Sequence, residues 1–209
     1  VNATTDPRDA ELLERAEQGD AQAVDELFDR YRGYLRAVVA LRMDRQMQSR
    51  VDASDVVQET FLQTARRMDD FLRRRPMPFR LWLRKSACEC LIQLRRRHVG
   101  AQQRTTAAEV RLPAASSAAQ AALAPADSGT TPSQQLVKFE LAERVRQAMS
   151  ELDEQDREIL LMRTYEGLTN QEVSLVLELE ADAASKRYGR ALIRLRNLLV
   201  ERGVTEWRP

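Results

Sequence analysis

The chain has 209 residues, 43% hydrophobic and 31% charged, with only 5% aromatic residues and seven each of glycine and proline. That composition favours helices over a β-sandwich or barrel and demands wide solvated faces, in one large domain or two small ones. No run of about 18 apolar residues is present to span a bilayer, and the acidic stretch 1–20 lacks a signal peptide's apolar core, so a cytoplasmic protein without membrane insertion is expected.

The formal net charge of +1 averages over opposed blocks. Residues 1–59 carry 8 basic against 13 acidic side chains, and residues 60–98 carry 11 against 3. The pattern recurs: 2 against 10 in residues 150–184, then 5 against none in residues 185–198. Such polarity suggests two kinds of partner, one basic and protein-like and one polyanionic.

From the N-terminus, Asp9 to Tyr34 reads as one or two short helices broken near Gly19-Asp20, with Leu12, Leu13, Ala16, Val24, Leu27, Phe28 and Tyr31 apolar. A longer helix continues through Leu35, Val38, Val39 and Leu41. Asp52 to Met68 is the clearest helix: Val57, Phe61, Thr64 and Met68 form a packing stripe, while Asp52, Asp55 and Glu59 share another face. Residues Asp69 to Pro78 are expected to break that helix, with Arg73-Arg74-Arg75-Pro76 in a loop. Phe79, Leu83, Ala87, Cys90 and Leu94 then mark an amphipathic helix ending in Arg95-Arg96-Arg97, with Arg80, Arg84 and Lys85 on its exposed sides.

Residues 99–135 are rich in alanine, with Pro113, Pro125 and Pro132 and no apolar periodicity, and read as a flexible linker. The expected organisation is all-α: a helical domain at 1–98, the linker at 99–135, and a second helical domain at 136–209. In the latter, Leu141, Val145, Ala148 and Leu152 step along one helix, and Asp156 to Tyr165 form the next. Thr169 with Glu172 makes a capping box that starts a short helix, Asn170 to Leu177, buried through Val173, Val176 and Leu177. After a turn at Glu178 to Ala181, the stripe Ala184, Tyr188, Ala191, Leu195, Leu198 lines a long helix whose other side carries Lys186, Arg187, Arg190 and Arg194. This is a helix-turn-helix.

That layout places side chains against base edges in a major groove. Lys186, Arg187 and Arg190 suit phosphates or guanine edges, Ser185 suits either, and Ala184 packs or touches a thymine methyl. Arg194 suits a phosphate. Arg73, Arg74, Arg75, Arg80, Arg84, Lys85, Arg95, Arg96 and Arg97 form the first domain's polyanion surface, better matched to single-stranded or distorted DNA. Trp82 offers a stacking face or, as the preferred reading, a core residue.

Chemistry-bearing clusters are sparse. Cys88 and Cys90 point about 200° apart on a helix and do not pair, and His98 is the sole histidine. Neither metal nor cofactor is expected.

Together these segments resemble the extracytoplasmic-function sigma factors of bacterial RNA polymerase. The similarity rests on Asp52-Ala-Ser-Asp55-Val-Val-Gln58-Glu59-Thr60-Phe61, on Phe79-Arg-Leu-Trp82-Leu83, and on Glu151-Leu152-Asp153, Arg157-Glu158-Ile159-Leu160 and Leu168-Thr169-Asn-Gln171-Glu172-Val173 followed by Ser185-Lys186-Arg187. The resemblance implies that Asp52, Asp55, Gln58 and Glu59 dock on a basic coiled coil of the largest polymerase subunit. It further implies that the first domain's basic surface opens and holds the minus-ten promoter element, that the linker threads polymerase channels, and that the C-terminal helix reads the minus-thirty-five element. Core RNA polymerase and promoter DNA are the implied partners, with an anti-sigma factor a further candidate. One departure stands out: Leu177-Glu178-Leu179-Glu180-Ala181-Asp182 occupies a turn where the family usually carries glycine after the leucine and another before the recognition helix.

The expected function is therefore a sigma factor without enzymatic activity. A stand-alone helix-turn-helix regulator is the alternative, but it has no use for the acidic Asp52 to Glu59 face. A nuclease would need clustered carboxylates, and three acids on one helix are a poor magnesium site.

Overall fold

A computed structural model describes residues 6–102 and 132–204, with side chains at 45–46, 98–102 and 132–138 left aside. The regular elements among the described residues are all helices, with no strand. Contacts divide the chain into two compact units, Val1–Ser116 and Ser117–Pro209. Most of the expected linker lies outside the described residues, but positions 99–102 and 132–135 are helical, extending the flanking helices beyond the expected boundaries.

The first unit opens with α1 (Pro7–Glu17), whose Asp6 side chain caps the helix by accepting from the Arg8 amide, with proline at the first helical position. Gly19, at φ +86°, supplies the left-handed residue that turns the chain. Asp20 then caps α2 (Ala21–Ala40), accepting from the amides of Gln22 at 2.9 Å and Ala23 at 3.3 Å. A short α3 (Arg45–Gln48) leads to α4 (Ala53–Ala65).

The expected break after α4 is narrower than the sequence suggested. Met68–Arg74 forms a further helix, α5, which buries Met68, Phe71 and Leu72 and carries Arg73 and Arg74 in its last turn. Burial of these apolar residues outweighs the run of arginines, and only Arg75, at φ 37°, with the prolines beyond it ends the helix. From Phe79, α6 (Phe79–Gln102) packs against both α2 and α4. Aromatic rings unite these helices: Phe28 stacks on Phe61 at 4.7 Å, and Phe71 on Trp82 at 4.5 Å.

The second unit comprises α7 (Pro132–Glu151), α8 (Glu154–Leu160) prolonged by a π-helical turn (Leu161–Tyr165), α9 (Asn170–Leu177) and α10 (Ala181–Glu201). The expected capping box is present, with the Glu172 amide donating to Thr169 Oγ1 and the Thr169 amide to Glu172 Oε2. Ala184, Ala191, Leu195 and Leu199 form the buried stripe of α10. Tyr188 and Leu198, expected on that stripe, are only half-buried, and Leu141 on α7 is exposed.

Candidate protein and nucleic-acid interfaces

The acidic face is built by the start of α4. Val56, Val57, Thr60, Phe61 and Thr64 turn into the core, leaving Asp52, Asp55 and Gln58 exposed and Glu59 half-buried. Asp52 and Asp55 also hold the helix end. Asp52 accepts from the Ser54 amide at 2.6 Å, and the Asp52 amide donates to Asp55 Oδ2 at 3.3 Å. The Ser54 hydrogen bonds, with Arg36 nearby, hold the Asp52 carboxyl below its ordinary value. Glu59 accepts from Gln63 Nε2 at 2.8 Å.

The basic residues of the first unit differ in their availability. Arg73 and Arg74 are exposed and approach Asp70 Oδ1 at 3.5 and 3.0 Å. Arg75 is tied to Glu17 of α1 at 2.6 Å, and Arg80 lies over the Tyr34 ring at 5.6 Å. Lys85 is half-buried, while Arg96 and Arg97 are exposed. Arg95 donates to the Arg42 carbonyl at 3.0 Å and nears Asp44 at 3.5 Å, bracing α6 against the end of α2.

Arg84, expected on an exposed side, is instead only 1% accessible. Because α6 has neighbours on two sides, it buries four consecutive residues, Leu81 to Arg84, and the position falls outside any single-stripe reading of the helix. Trp82 is 7% exposed and stacked on Phe71, which makes it a core residue.

In the second unit, Ser185, Lys186 and Arg190 project from α10 into solvent. Ala184, included among the expected minus-thirty-five contacts, is completely buried, because it faces the rest of the helix-turn-helix. Two expected DNA contacts, Arg187 and Arg194, have partners within the unit. Arg187 Nη2 donates to Gln155 Oε1, and its Nε lies 3.5 Å from Asp156 Oδ1. Arg194 Nη1 reaches Asp153 Oδ2 at 3.1 Å and bonds Asp156 Oδ2. Asp153 caps α8 by accepting from the Asp156 amide at 2.8 Å, and this bond, with Arg194 and Arg187 close by, holds its carboxyl below the usual range.

Sequence reasoning missed Gln155 and Asp156 as partners of α10. The available signal was the Asp153-x-x-Asp156 spacing, a cap followed by a second acid in the first helical turn. Among the described residues no group of three His, Cys, Asp or Glu side chains is placed to hold a metal, and no helix is long and apolar enough to cross a membrane. Among the described residues neither Cys88 nor Cys90 forms a disulfide.

The comparisons divide along the same two units. The Sigma-70 region 2 family matches residues 27–100, and the Sigma-70 region 4 family matches residues 142–195. The chain is 31% identical over 202 residues to the RNA polymerase sigma factor NccH of Alcaligenes xylosoxydans xylosoxydans, covering 93% of this chain and 97% of that one. It is 30% identical over 150 residues to the probable RNA polymerase sigma factor RfaY of Xanthomonas campestris pv. campestris; that match spans 72% of this chain but only 34% of RfaY. The structure of CnrH in complex with the cytosolic domain of CnrY is similar at a TM-score of 0.59 and 25% identity, covering 93% of this chain and 99% of CnrH. The chain belongs to the RNA polymerase sigma factors, in the extracytoplasmic-function group. Its work is therefore in transcription initiation.

Proposed function

We propose that this sigma factor recruits core RNA polymerase through Asp52, Asp55, Gln58 and Glu59 and hands the enzyme to a promoter through two separate basic surfaces. Arg73, Arg74, Arg75, Arg80, Lys85, Arg95 and Arg96 hold and open the minus-ten element. Ser185, Lys186 and Arg190 read the minus-thirty-five element from the major groove. The chain acts in the cytoplasm, by binding alone, without covalent catalysis or nucleotide hydrolysis. The observation that carries this reading is the exposed acidic start of α4, in the same unit as a basic α5–α6 surface. A stand-alone DNA-binding regulator needs no such protein-facing acidic row. CnrH was solved with a cytosolic domain of CnrY, and a protein of that kind is the proposed means of holding this chain inactive.

Run-off transcription with core polymerase and genomic fragments tests the reading. Promoter-dependent transcripts that appear only when the chain is added are expected. Tight, sequence-specific DNA binding by the free chain, without any effect on polymerase, would overturn it.

A further inference from the structure

Resting on the assignment of α10 to the minus-thirty-five element, we infer that Asp156 is a positioning residue that withdraws Arg187 and Arg194 from DNA and leaves base reading to Ser185, Lys186 and Arg190. Positions 187 and 194 are seven residues apart, two turns along the same side of α10. Both guanidinium groups converge on one carboxylate: Arg187 Nε at 3.5 Å from Oδ1 and Arg194 Nη1 bonded to Oδ2. The Asp156 side chain is only 2% exposed, whereas those of Arg187 and Arg194 are 27% and 56% exposed.

This asymmetry decides which partner wins. A phosphate competing for either arginine would strip counter-charge from a buried carboxylate, the costly way to break a buried pair. Two neighbouring groups add to the hold: Arg187 Nη2 also donates to Gln155, and Arg194 Nη1 is shared between Asp156 and Asp153. Because Asp153 and Asp156 occupy the capped first turn of α8, the clamp ties the rotation of α10 to a fixed helix end. Ser185, Lys186 and Arg190 are then presented outward at a set angle.

The test is the salt dependence of holoenzyme binding to a duplex promoter selected from a randomised library with the wild-type chain. Each phosphate contact contributes about 0.9 to the slope of log affinity against log salt, or about 3.5-fold in affinity over a fourfold change in salt. Lys186→Ala and Arg190→Ala are each expected either to lower the slope by about that amount, where the side chain meets a phosphate, or to relax preference at one position of the element, where it meets a base edge, while Arg187→Gln and Arg194→Gln change neither. Asp156→Asn, which removes the buried charge that the two guanidinium groups share, is expected to steepen the slope and broaden base preference in the minus-thirty-five element. A slope reduced by Arg187→Gln or Arg194→Gln as much as by Lys186→Ala would overturn the clamp while leaving the helix assignment standing. Slope and base preference both unmoved by Lys186→Ala and Arg190→Ala would overturn the helix assignment itself.

Discussion

Glu178 offers a quantitative test of the helix-turn-helix geometry. It ends α9 in the left-handed region, at φ 55° and ψ 43°, with its amide donating to the Ser174 carbonyl. A left-handed conformation costs an L-residue about 1–2 kcal/mol, and glycine escapes that cost but loses about 0.5–1 kcal/mol more backbone entropy on folding. Glu178→Gly is therefore expected to stabilise the second unit by about 0.5–1 kcal/mol. For a unit of this size that corresponds to a rise in melting temperature of about 2–8 °C. Hydrogen exchange in the intact chain localises the effect: amides of α9 and α10 should exchange about two- to fivefold more slowly. Glu178→Ala serves as the control, since alanine removes the charge but meets the same steric penalty. Equal protection in the glycine and alanine variants, or a loss of protection with glycine, would refute the argument from backbone conformation.

Trp82 is packed, with its ring on Phe71 at 4.5 Å, so Trp82→Ala should cost about 3–5 kcal/mol; a melting temperature equal to wild type would mean that the ring serves a bound base instead. Asp52 titrates below its ordinary value of 3.8, so its contribution to stability is present above that value and is lost as pH falls through the lower, folded value. The stability gap between the wild type and Asp52→Asn should accordingly shrink on acidification through and below the ordinary value, as thermal melts would show, and a widening gap would contradict the capping role.

Much of the fold was legible because local signals agreed with tertiary packing. Thr169 and Glu172 announced the start of α9, Gly19-Asp20 the break between α1 and α2, and the Val57, Phe61, Thr64 stripe the buried side of α4. The acidic face of α4 was legible as well, though not the capping duty of Asp52 and Asp55. The misreadings arose where burial depends on neighbours distant in sequence. Arg84 is enclosed because α6 has helices on two sides, which a one-face periodicity does not register. Helix α5 hid behind its arginines because its three buried side chains find their partners elsewhere in the unit. The interhelical clamp on α10 joins residues 31 and 38 positions apart, a pairing that helical spacing does not encode.

Core docking is the central claim, and charge neutralisation at the α4 face tests it most directly. Asp55→Asn retains an oxygen to accept from the Asp52 amide, and Glu59→Gln retains one for Gln63, so the double variant removes charge while keeping the local hydrogen bonds. Its affinity for core polymerase, measured by titration at moderate salt alongside a thermal melt of the free chain, is expected to fall at least tenfold with the melting temperature little changed. Wild-type affinity in the double variant would contradict the account.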